Sequence, residues 1–287
     1  MSLQHLQTSK IRTDAIPSWC PGCFNFQVMA GVQQFLEGEF KKGKKKKDFA
    51  IVSGIGCHAK IFDYMDMPGI NTLHGRVPPA CMGLKIAKPE LTVLGFSGDG
   101  DAYAEGLEHL VHAARFNSDF KYMIHNNQVF ALTLGEPTPV TNVGFADKTT
   151  PQGVFLRPMN PIKLMLSAGA TFVARVNADA ESIRKVLVQA NKHKGFAFIE
   201  ILQPCIIFHL DAGYRERMYD LQSNKVKHNT ASLSAAMARA EEYDYSSAKA
   251  KIPMGIFYNV RRPTFEELRL GNKKKSMKSS KLSARKK

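Results

Sequence analysis

The sequence predicts an α/β fold, a mostly parallel sheet with helices on both faces. Short apolar runs of five to seven residues alternate with longer segments whose apolar residues recur at helical spacing. Strands that alternate with helices typically pair in parallel, because each helix carries the chain back across one face of the sheet. The 287 residues, 44% of them hydrophobic and 23% charged, suffice for a buried core. Ligands of such folds bind at the carboxyl ends of strands, so the residues after each apolar run are the functional candidates.

The elements can be placed in order along the chain. Phe24–Phe40 has phenylalanines and valines at helical spacing, and Phe49–Ser53 is an apolar run that stops at a glycine-rich turn. The further predicted strands are Leu91–Ser97, Phe120–Ile124, Thr171–Val176 and Phe196–Leu202, and the further helices are Ala102–Phe116 and Asp179–His193. Asp179 is the expected N-cap of the last helix, and Gly195 is its expected stop.

The formal net charge of +15 is concentrated in two runs. Lys41–Lys47 holds six lysines and Lys273–Lys287 holds eight basic residues, with no acid in either, so the rest of the chain is nearly neutral. We interpret them as a solvated loop and a disordered tail, the alternative being an electrostatic contact with an acidic partner or RNA. Neither run interleaves aromatic residues as a single-strand stacking surface would, so nucleic acid is not the expected partner.

The sequence indicates no membrane partner and a cytoplasmic location. No apolar run reaches the roughly 18 residues that span a bilayer, and Met1–Trp19 is polar, without the apolar core of a signal peptide. Five cysteines are too few for a disulfide scaffold in a chain of this length. In a reducing compartment they indicate free thiols, a metal or a cluster instead.

Two neighbouring strand ends carry groups that suit a divalent cation and a diphosphate. Gly98-Asp99-Gly100-Asp101 follows one predicted strand and opens a helix, and Asn126-Asn127-Gln128 follows the next strand. The glycines let the backbone approach a phosphate, while Asp99 and the amide oxygen of Asn127 suit Mg²⁺. Either motif alone could be an ordinary turn. Together, at this spacing, they resemble the signature of thiamine-diphosphate enzymes, which implies Asp99, Asn127 and the main-chain carbonyl of Val129 as Mg²⁺ ligands.

The cysteines form a second candidate site. Trp19-Cys20-Pro21-Gly22-Cys23 holds a pair that alone suits zinc, a redox couple or iron–sulfur ligation, with zinc favoured. Cys57 and Cys205 each follow a predicted strand, which places them at the same sheet edge as the glycine turn. Four thiolates there would suit a [4Fe–4S] cluster, the alternative being that Cys57 and Cys205 are ordinary buried thiols. Cys81, among small and apolar residues, is expected to be merely buried.

Five motifs in this order resemble the β subunit of the 2-oxoacid:ferredoxin oxidoreductases, the pyruvate and 2-oxoglutarate synthase family. The likeness extends from about Ile16 to about His209 and lies in the motifs as a set. They are Trp19-Cys20-Pro21-Gly22-Cys23, Gly54-Ile55-Gly56-Cys57, His74-Gly75-Arg76, Gly98-Asp99-Gly100-Asp101 and Asn126-Asn127-Gln128. The resemblance implies a thiamine-diphosphate-binding fold.

The resemblance also implies the cofactors and site residues: thiamine diphosphate, Mg²⁺ and one [4Fe–4S] cluster. The implied cluster ligands are Cys20, Cys23, Cys57 and Cys205. The residues implied to line the thiamine diphosphate are Ile55, Gly56, Cys57, His58, His74, Gly98, Gly100, Asp101, Ala131 and Leu132. The implied catalytic residues are Lys60, His74 and Leu132. Lys60 would face substrate or coenzyme A unless it is a surface lysine, and His74 would contact the diphosphate rather than serve as a core histidine.

A protein of this family would oxidatively decarboxylate a 2-oxoacid, pyruvate or 2-oxoglutarate, to an acyl-CoA and CO₂, with electrons passed through the cluster to ferredoxin. Thiamine-diphosphate enzymes need a glutamate from a pyrimidine-binding domain, and we find no such domain in this sequence. The expected partners are therefore the 2-oxoacid, coenzyme A, ferredoxin and an α subunit that carries the pyrimidine-binding and γ-like domains, in a heterodimer or larger assembly.

Two positions depart from the family pattern. Leu134 and Glu136 stand where the family usually has a lysine and a glutamine, which leaves the 2-oxoacid and the coenzyme A contact open. Two other classes also stay open. A cluster-free thiamine-diphosphate decarboxylase or carboligase subunit would contain no iron, and a non-catalytic zinc- and nucleic-acid-binding protein would keep its nucleic-acid affinity after Asp99→Ala.

The expected domain organisation has three parts. Residues 1–220 would form the thiamine-diphosphate-binding domain with the iron–sulfur site. Residues 221–270 would form a C-terminal extension, and residues 271–287 a basic disordered tail.

Overall fold

A computed structural model of the chain describes residues 11–210, 215–243, 247, 249–269 and 271. Helices and strands alternate along most of this length. The strands are β1 (Phe49–Ser53), β2 (Gly69–Asn71), β3 (Thr92–Gly98), β4 (Lys121–Asn126), β5 (Val129–Phe130), β6 (Glu136–Pro137), β7 (Phe172–Asn177), β8 (Ala197–Leu202), β9 (Met218–Asp220) and β10 (Ile252–Asn259). The helices are α1 (Asn25–Lys41), α2 (Ile61–Tyr64), α3 (Val77–Ala87), α4 (Asp99–Tyr103), α5 (Leu107–Phe116), α6 (Pro161–Ser167), α7 (Ala180–Lys192) and α8 (Leu233–Glu241).

Most of the described strands form one eight-stranded sheet in the order β2-β1-β3-β4-β8-β7-β10-β9. The six strands from β2 to β7 in this order are all parallel. Strand β10 pairs antiparallel with β7, and β9 pairs parallel with β10. Strands β5 and β6 form a separate two-stranded ribbon. The predicted mostly parallel sheet is confirmed.

Apolar side chains on the two faces of the sheet form two separate core clusters. Helices α1 and α7 cover one face, where Val28, Phe35 and Ile183 are buried. Helices α3, α5, α6 and α8 cover the other face, where Val77 and Leu110 are buried. Burial of these apolar stripes is the main force that holds the layers together. Helices on both faces are therefore confirmed, and the carboxyl edge of the sheet stays open to a ligand.

The single helix predicted over Ala102–Phe116 is wrong, because the structure has two helices there, α4 and α5. The chain breaks between them at Gly106, where an added Cβ would lie 2.7 Å from the carbonyl oxygen of Gly75. Only glycine fits this close approach of two backbones. Helix α3 was not predicted, although Pro78 lies in its first turn, where proline is tolerated.

The expected ends of helix α7 are confirmed. The side chain of Asp179 accepts a hydrogen bond from the backbone nitrogen of Ser182 at 2.9 Å, and Gly195 adopts a φ of +134° shortly after the helix. Beyond residue 220, helix α8 packs on the sheet and β10 joins it, so this part of the chain extends the same sheet. The division into 1–220 and 221–270 stays a prediction.

The lysine-rich run between α1 and β1 is largely exposed. Within it Lys42 pairs with Glu39 at 2.7 Å and Lys46 pairs with Asp66 at 2.5 Å. The predicted tail, residues 271–287, lies outside the described residues except for Gly271. None of the described helices combines the length and apolar character needed to cross a bilayer.

Candidate active site

A pocket of about 550 Å³ opens at the carboxyl edge of the sheet. Its wall comes mainly from segments that follow β1, β3 and β4, because the carboxyl ends of parallel strands meet at one edge. All of the residues expected to line the thiamine diphosphate or to bind Mg²⁺ line this pocket. They are Ile55, Gly56, Cys57, His58, His74, Gly98, Asp99, Gly100, Asp101, Asn127, Val129, Ala131 and Leu132.

The glycine turn after β3 brings backbone to the floor of the pocket. Gly98 is the residue before helix α4, and Gly100 lies in its first turn. A Cβ added at Gly100 would lie 2.1 Å from the ring of Phe130, so only glycine fits beneath that ring. Successive backbone N–H groups at such a turn favour an anion.

Asp99 is 1% exposed, and its carboxylate lies between the turns that follow β3 and β4. Its Oδ2 accepts a hydrogen bond from the Thr138 hydroxyl at 2.6 Å, and its Oδ1 accepts one from the Asn127 backbone at 3.4 Å. The amide oxygen of Asn127 accepts from the Val129 backbone at 3.0 Å. Burial raises the pKa of Asp99 to about 7. The three residues predicted as Mg²⁺ ligands thus meet at one pocket, with no described cationic side chain paired to Asp99.

Asp101 joins the histidine-containing loops to the glycine turn. Its Oδ1 lies 2.8 Å from Nδ1 of His74 and accepts the Gly75 N–H at 2.7 Å, and its Oδ2 lies 3.5 Å from Nε2 of His58. Burial opposes ionisation of Asp101, but its contacts with His58 and His74 hold its pKa below the ordinary range. The hydrogen bond to Asp101 in turn raises the pKa of His74. This network fixes both imidazole rings at the pocket wall.

Sequence reasoning missed four polar residues that line the pocket, His125, Gln203, Asn25 and Thr133. His125, the fifth residue of β4, places Nδ1 2.9 Å from Oδ1 of Asn25 and 3.0 Å from Oε1 of Gln203. Its Nε2 is buried without a hydrogen-bond partner among the described residues. Burial lowers the pKa of His125 to about 3, so the ring is neutral near pH 7. His125 and Gln203 both lie at strand ends, so the search of strand ends could have found them. Asn25 is the first residue of α1, and no motif around it in the sequence indicates a binding residue.

The turn after Asn127 forms the lip of the pocket. Gln128 and Leu134 adopt left-handed φ values of +64° and +86°, uncommon for residues other than glycine. Leu132 is 47% exposed and lines the pocket, whereas Leu134 is 67% exposed and does not line it. Glu136 accepts a hydrogen bond from the Thr133 hydroxyl at 2.7 Å.

Lys60 lies in the turn that contains Cys57 and does not line the pocket. Its positive charge acts on Cys57, whose pKa it lowers, although burial raises that pKa by more. The structure therefore places Lys60 next to Cys57, a residue of the pocket lining, but not in the lining itself. Its predicted catalytic role stays a prediction.

The four cysteines predicted as cluster ligands come from three segments that contact one another. The indole nitrogen of Trp19 donates to the carbonyl oxygen of Cys57 at 2.6 Å, which ties the N-terminal pair to the Cys57 turn. Burial, together with interactions with Cys57, Cys20 and Cys205, raises the pKa of Cys23 to about 11. All four thiols are free, and all but the exposed Cys20 are half-buried.

The thiols do not form a compact single-ion site. Among the described residues, no group of three or more histidine, cysteine, aspartate or glutamate side chains surrounds a point as one ion would require. Cys81 lies apart, fully buried in α3, as the sequence predicted.

Comparison with known families agrees with this geometry. Residues 54–201 match the family of the C-terminal thiamine-pyrophosphate-binding domain of thiamine pyrophosphate enzymes. Residues 212–274 match the C-terminal region of the pyruvate ferredoxin oxidoreductase β subunit. The β subunit of the Saccharolobus solfataricus 2-oxoacid:ferredoxin oxidoreductase is 37% identical over 265 residues, which cover 87% of this chain and 84% of that protein. The chain belongs to the β subunits of the 2-oxoacid:ferredoxin oxidoreductases.

Two further relatives extend the comparison of this β subunit. The 2-oxoglutarate synthase subunit KorB of Methanocaldococcus jannaschii is 33% identical over 265 residues, which cover 92% of this chain and 95% of that protein. A solved structure of a Magnetococcus marinus 2-oxoglutarate:ferredoxin oxidoreductase matches with a TM-score of 0.85 and 30% identity, covering 96% of this chain and 94% of that one. That protein was solved with 2-oxoglutarate, coenzyme A and succinyl-CoA bound.

Membership in this β-subunit family confirms the predicted fold and enzyme class, a thiamine-diphosphate-dependent 2-oxoacid:ferredoxin oxidoreductase. This family membership excludes the alternative of a non-catalytic zinc- and nucleic-acid-binding protein. The name of the relatives also implies an α subunit as the partner of this chain.

Proposed function

We propose that this β subunit binds thiamine diphosphate through Mg²⁺ and holds one [4Fe–4S] cluster. With an α subunit, it would oxidatively decarboxylate pyruvate or 2-oxoglutarate to an acyl-CoA and CO₂ and pass electrons to ferredoxin. The observation that carries the proposal is the position of Cys57, which lines the pocket and belongs to the group of four cysteines. One short turn thus connects the proposed cofactor pocket and the proposed redox site.

The pocket fits a Mg²⁺-diphosphate. Asp99 is a buried carboxylate whose described partners are hydrogen-bond donors rather than cations, so a divalent ion would compensate its charge. Asn127 and the main chain of Val129 would supply the other protein oxygens, and the backbone near Gly98 and Gly100 would approach the phosphates. The buried, unpartnered Nε2 of His125 would meet a polar group of the ligand.

The side chains around the pocket would orient the ligand and exclude water. Asp101 holds His58 and His74 in place, and the half-buried ring of Phe130 lies over Gly100. When bound, thiamine diphosphate supplies the nucleophile and electron sink for decarboxylation, and an adjacent cluster accepts single electrons. The protein's share is to fix the reacting groups in a water-poor site.

The four cysteines suit a cluster better than a single zinc ion. Cys23 interacts with Cys57, Cys20 and Cys205, and four thiolates are the usual ligand set of a [4Fe–4S] cluster. The relatives are named for ferredoxin, an electron carrier, and zinc has no redox chemistry. Free thiols throughout the described chain also fit a reducing, cytoplasmic setting.

An α subunit that carries the pyrimidine-binding and γ-like domains would cover the mouth of the pocket. Loops at this end of the molecule expose large apolar side chains, among them Leu73, Leu134, Phe155, Ile207 and Leu210, which are 59–83% exposed. Exposed apolar side chains in this number mark an interface with another protein. Leu134 and Glu136 would then face the seam between the subunits, where the 2-oxoacid is selected.

The test is a measurement of iron, zinc and acid-labile sulfide per β chain in αβ complex purified without oxygen. We expect about four iron atoms with matching sulfide. Cys57→Ser should lose them, and the matched control Cys81→Ala should keep them, because Cys81 lies apart from the group. Zinc without sulfide would contradict the proposed cluster.

Asp99→Asn separates the two halves of the proposal. This variant should keep its iron but lose Mg²⁺-dependent binding of thiamine diphosphate, measured by calorimetry. Wild-type complex that contains no iron yet decarboxylates a 2-oxoacid would instead support the cluster-free decarboxylase or carboligase.

A further inference from the structure

A broad groove of about 1480 Å³ lies beside β9, the outermost strand on one side of the sheet, and carries an excess of positive charge. We call it the basic groove. Its floor includes Met218 and Tyr219, and the C-terminal end of α8 forms part of its wall. The basic residues that line it are Arg217, Lys225, Lys227, Arg239, Lys249 and Lys251. Two of the described residues that line it are acidic, Glu216 and Glu242.

Most of this positive charge is not neutralised within the described part of the chain. Glu242 already pairs with Arg239 at 2.6 Å. Four lysines in the groove are exposed and form no ion pair with any described residue. They are Lys225, Lys227, Lys249 and Lys251. Like charges held together repel, so such a groove is favoured where it meets an anionic partner.

The basic groove and the cysteines both lie near the carboxyl ends of the parallel strands. Lys249 and Lys251 precede β10, and β10 runs antiparallel to β7, so its start lies beside the carboxyl end of β7. Cys205 follows the carboxyl end of β8, the neighbour of β7. The basic groove and the cysteines therefore lie on the same side of the molecule, at the carboxyl ends of β7 and β8.

One short turn touches both features. The guanidinium of Arg215 lies 5.6 Å from the ring centre of Phe24, the residue after Cys23. Two residues later Arg217 lines the groove and donates to the carbonyl oxygen of Ser247 at 2.9 Å. Two residues of chain span at most about 7 Å. The groove therefore begins close to the cysteine group.

We infer that the basic groove, together with Arg215, is the docking surface for an acidic electron-acceptor protein. The inference rests on the proposed function, because it needs a redox centre at the cysteines. The four lysines are exposed on an open groove rather than buried around one point, so they match a carboxylate-rich surface better than a single small anion. Tyr219 is engaged with Glu242, and its half-buried ring offers no stacking platform for nucleic acid.

The test compares charge-reversed αβ complexes in direct binding to an acidic ferredoxin, measured by calorimetry. Lys225→Glu/Lys227→Glu and Lys249→Glu/Lys251→Glu alter the two sides of the groove. The matched control, Lys44→Glu/Lys47→Glu, makes the same charge change on exposed lysines of the loop between α1 and β1. Each groove variant should raise Kd about tenfold at low ionic strength and flatten its salt dependence, with the control unchanged.

Reduction of a small artificial dye by the 2-oxoacid separates this inference from the proposed function. Groove variants that keep wild-type dye reduction but have a raised KM for ferredoxin support the docking surface. Normal dye reduction with unchanged ferredoxin binding overturns it, while the proposed function stands. Wild-type complex that reduces neither acceptor overturns both.

Three other outcomes also overturn the inference. One is an equal loss of ferredoxin binding in the control, which would mean that only net charge matters. Another is a failure of the groove variants to assemble with the α subunit in gel filtration, which would make the groove a subunit contact. The third is loss of affinity for a single-stranded oligonucleotide with ferredoxin binding intact.

Discussion

The hydroxyl of Thr138 donates a hydrogen bond to Oδ2 of Asp99, a residue 39 positions earlier in the sequence. Its hydroxyl also lies 3.3 Å from the hydroxyl of Thr141, which itself donates to the carbonyl oxygen of Gln128. Two threonines thus connect Asp99 to the turn that presents Asn127. Partners that orient a metal ligand typically contribute 10- to 100-fold to metal affinity.

Thr138→Val should weaken Mg²⁺-dependent binding of thiamine diphosphate by about 10- to 100-fold, because the carboxylate of Asp99 loses its strongest hydrogen bond. Calorimetric titration of the αβ complex measures the change. Thr138→Ser keeps the hydroxyl and should restore most of the affinity. Equal affinity in wild type and Thr138→Val would show that the hydroxyl does not position Asp99.

Among single residues, sequence reasoning found those that belong to a short motif of neighbouring residues in the chain. Asp99 and Asn127 were found because each lies in a short motif at a strand end. Thr138 and Asn25 were not found, since their partners come from segments far away in sequence, and only folding brings them together. The predicted roles of Lys60 and Leu132 stay predictions.

At the scale of elements, β7 and β8 share a buried ion pair directly behind the active-site turn. Arg175 and Glu200 are paired in register, and Nε of Arg175 lies 2.7 Å from Oε2 of Glu200, with both side chains 0% exposed. The other oxygen of Glu200 accepts from the side chain of Asn126 at 2.8 Å. The guanidinium also lies 4.8 Å from the ring centre of Tyr243. The pair thus links the central sheet to the residue before Asn127.

Glu200→Ala should lower the free energy of unfolding by about 3–5 kcal/mol, because the buried charge of Arg175 loses the carboxylate that lies 2.7 Å from it. Chemical denaturation measures the change. The double variant Arg175→Met/Glu200→Met should recover much of the loss, since no unpaired charge stays buried. Glu181→Ala, which breaks an exposed pair with Arg184, is the matched control and should change stability far less. A single variant as stable as the double would contradict the argument.

Elements were predicted well where a pattern is local. The strand Phe49–Ser53 coincides with β1, and the other predicted strands agree with the structure to within one or two residues at each end. The break at Gly106 was missed because it depends on contact with Gly75, which periodicity along one segment cannot show. Strand β10 was missed because Pro253 and Gly255 interrupt its apolar run, and both residues are uncommon inside strands.

At the scale of the whole molecule, a charged network closes the amino-terminal edge of the sheet. Asp119 lies 2.7 Å from Lys121 and 3.6 Å from Lys85. His193 lies beside this network, with Nε2 2.8 Å from the Thr171 hydroxyl. Burial, and then the charge of Lys121, lower the pKa of His193 to about 4.

Stability should depend on pH through His193. Between about pH 4 and 6.5 the unfolded chain binds a proton at this residue and the folded chain does not, so the free energy of unfolding rises with pH by roughly 3 kcal/mol. His193→Gln should flatten the rise relative to wild type in denaturation curves at several pH values. The exposed His112→Gln is the control and should leave it unchanged. If the free energy of unfolding of His193→Gln rises with pH as steeply as that of wild type, the pH dependence comes from other groups.

Both margins of the sheet are short. The outer strands β2 and β9 have three residues each, so few unpaired backbone groups are offered along either side. A long bare margin would invite another chain to add a strand, the route by which sheets extend into aggregates. Other proteins are therefore expected to bind this subunit mainly through side chains rather than by adding a strand to its sheet. Their specificity can change by point mutation without disturbing the backbone that carries the catalytic groups.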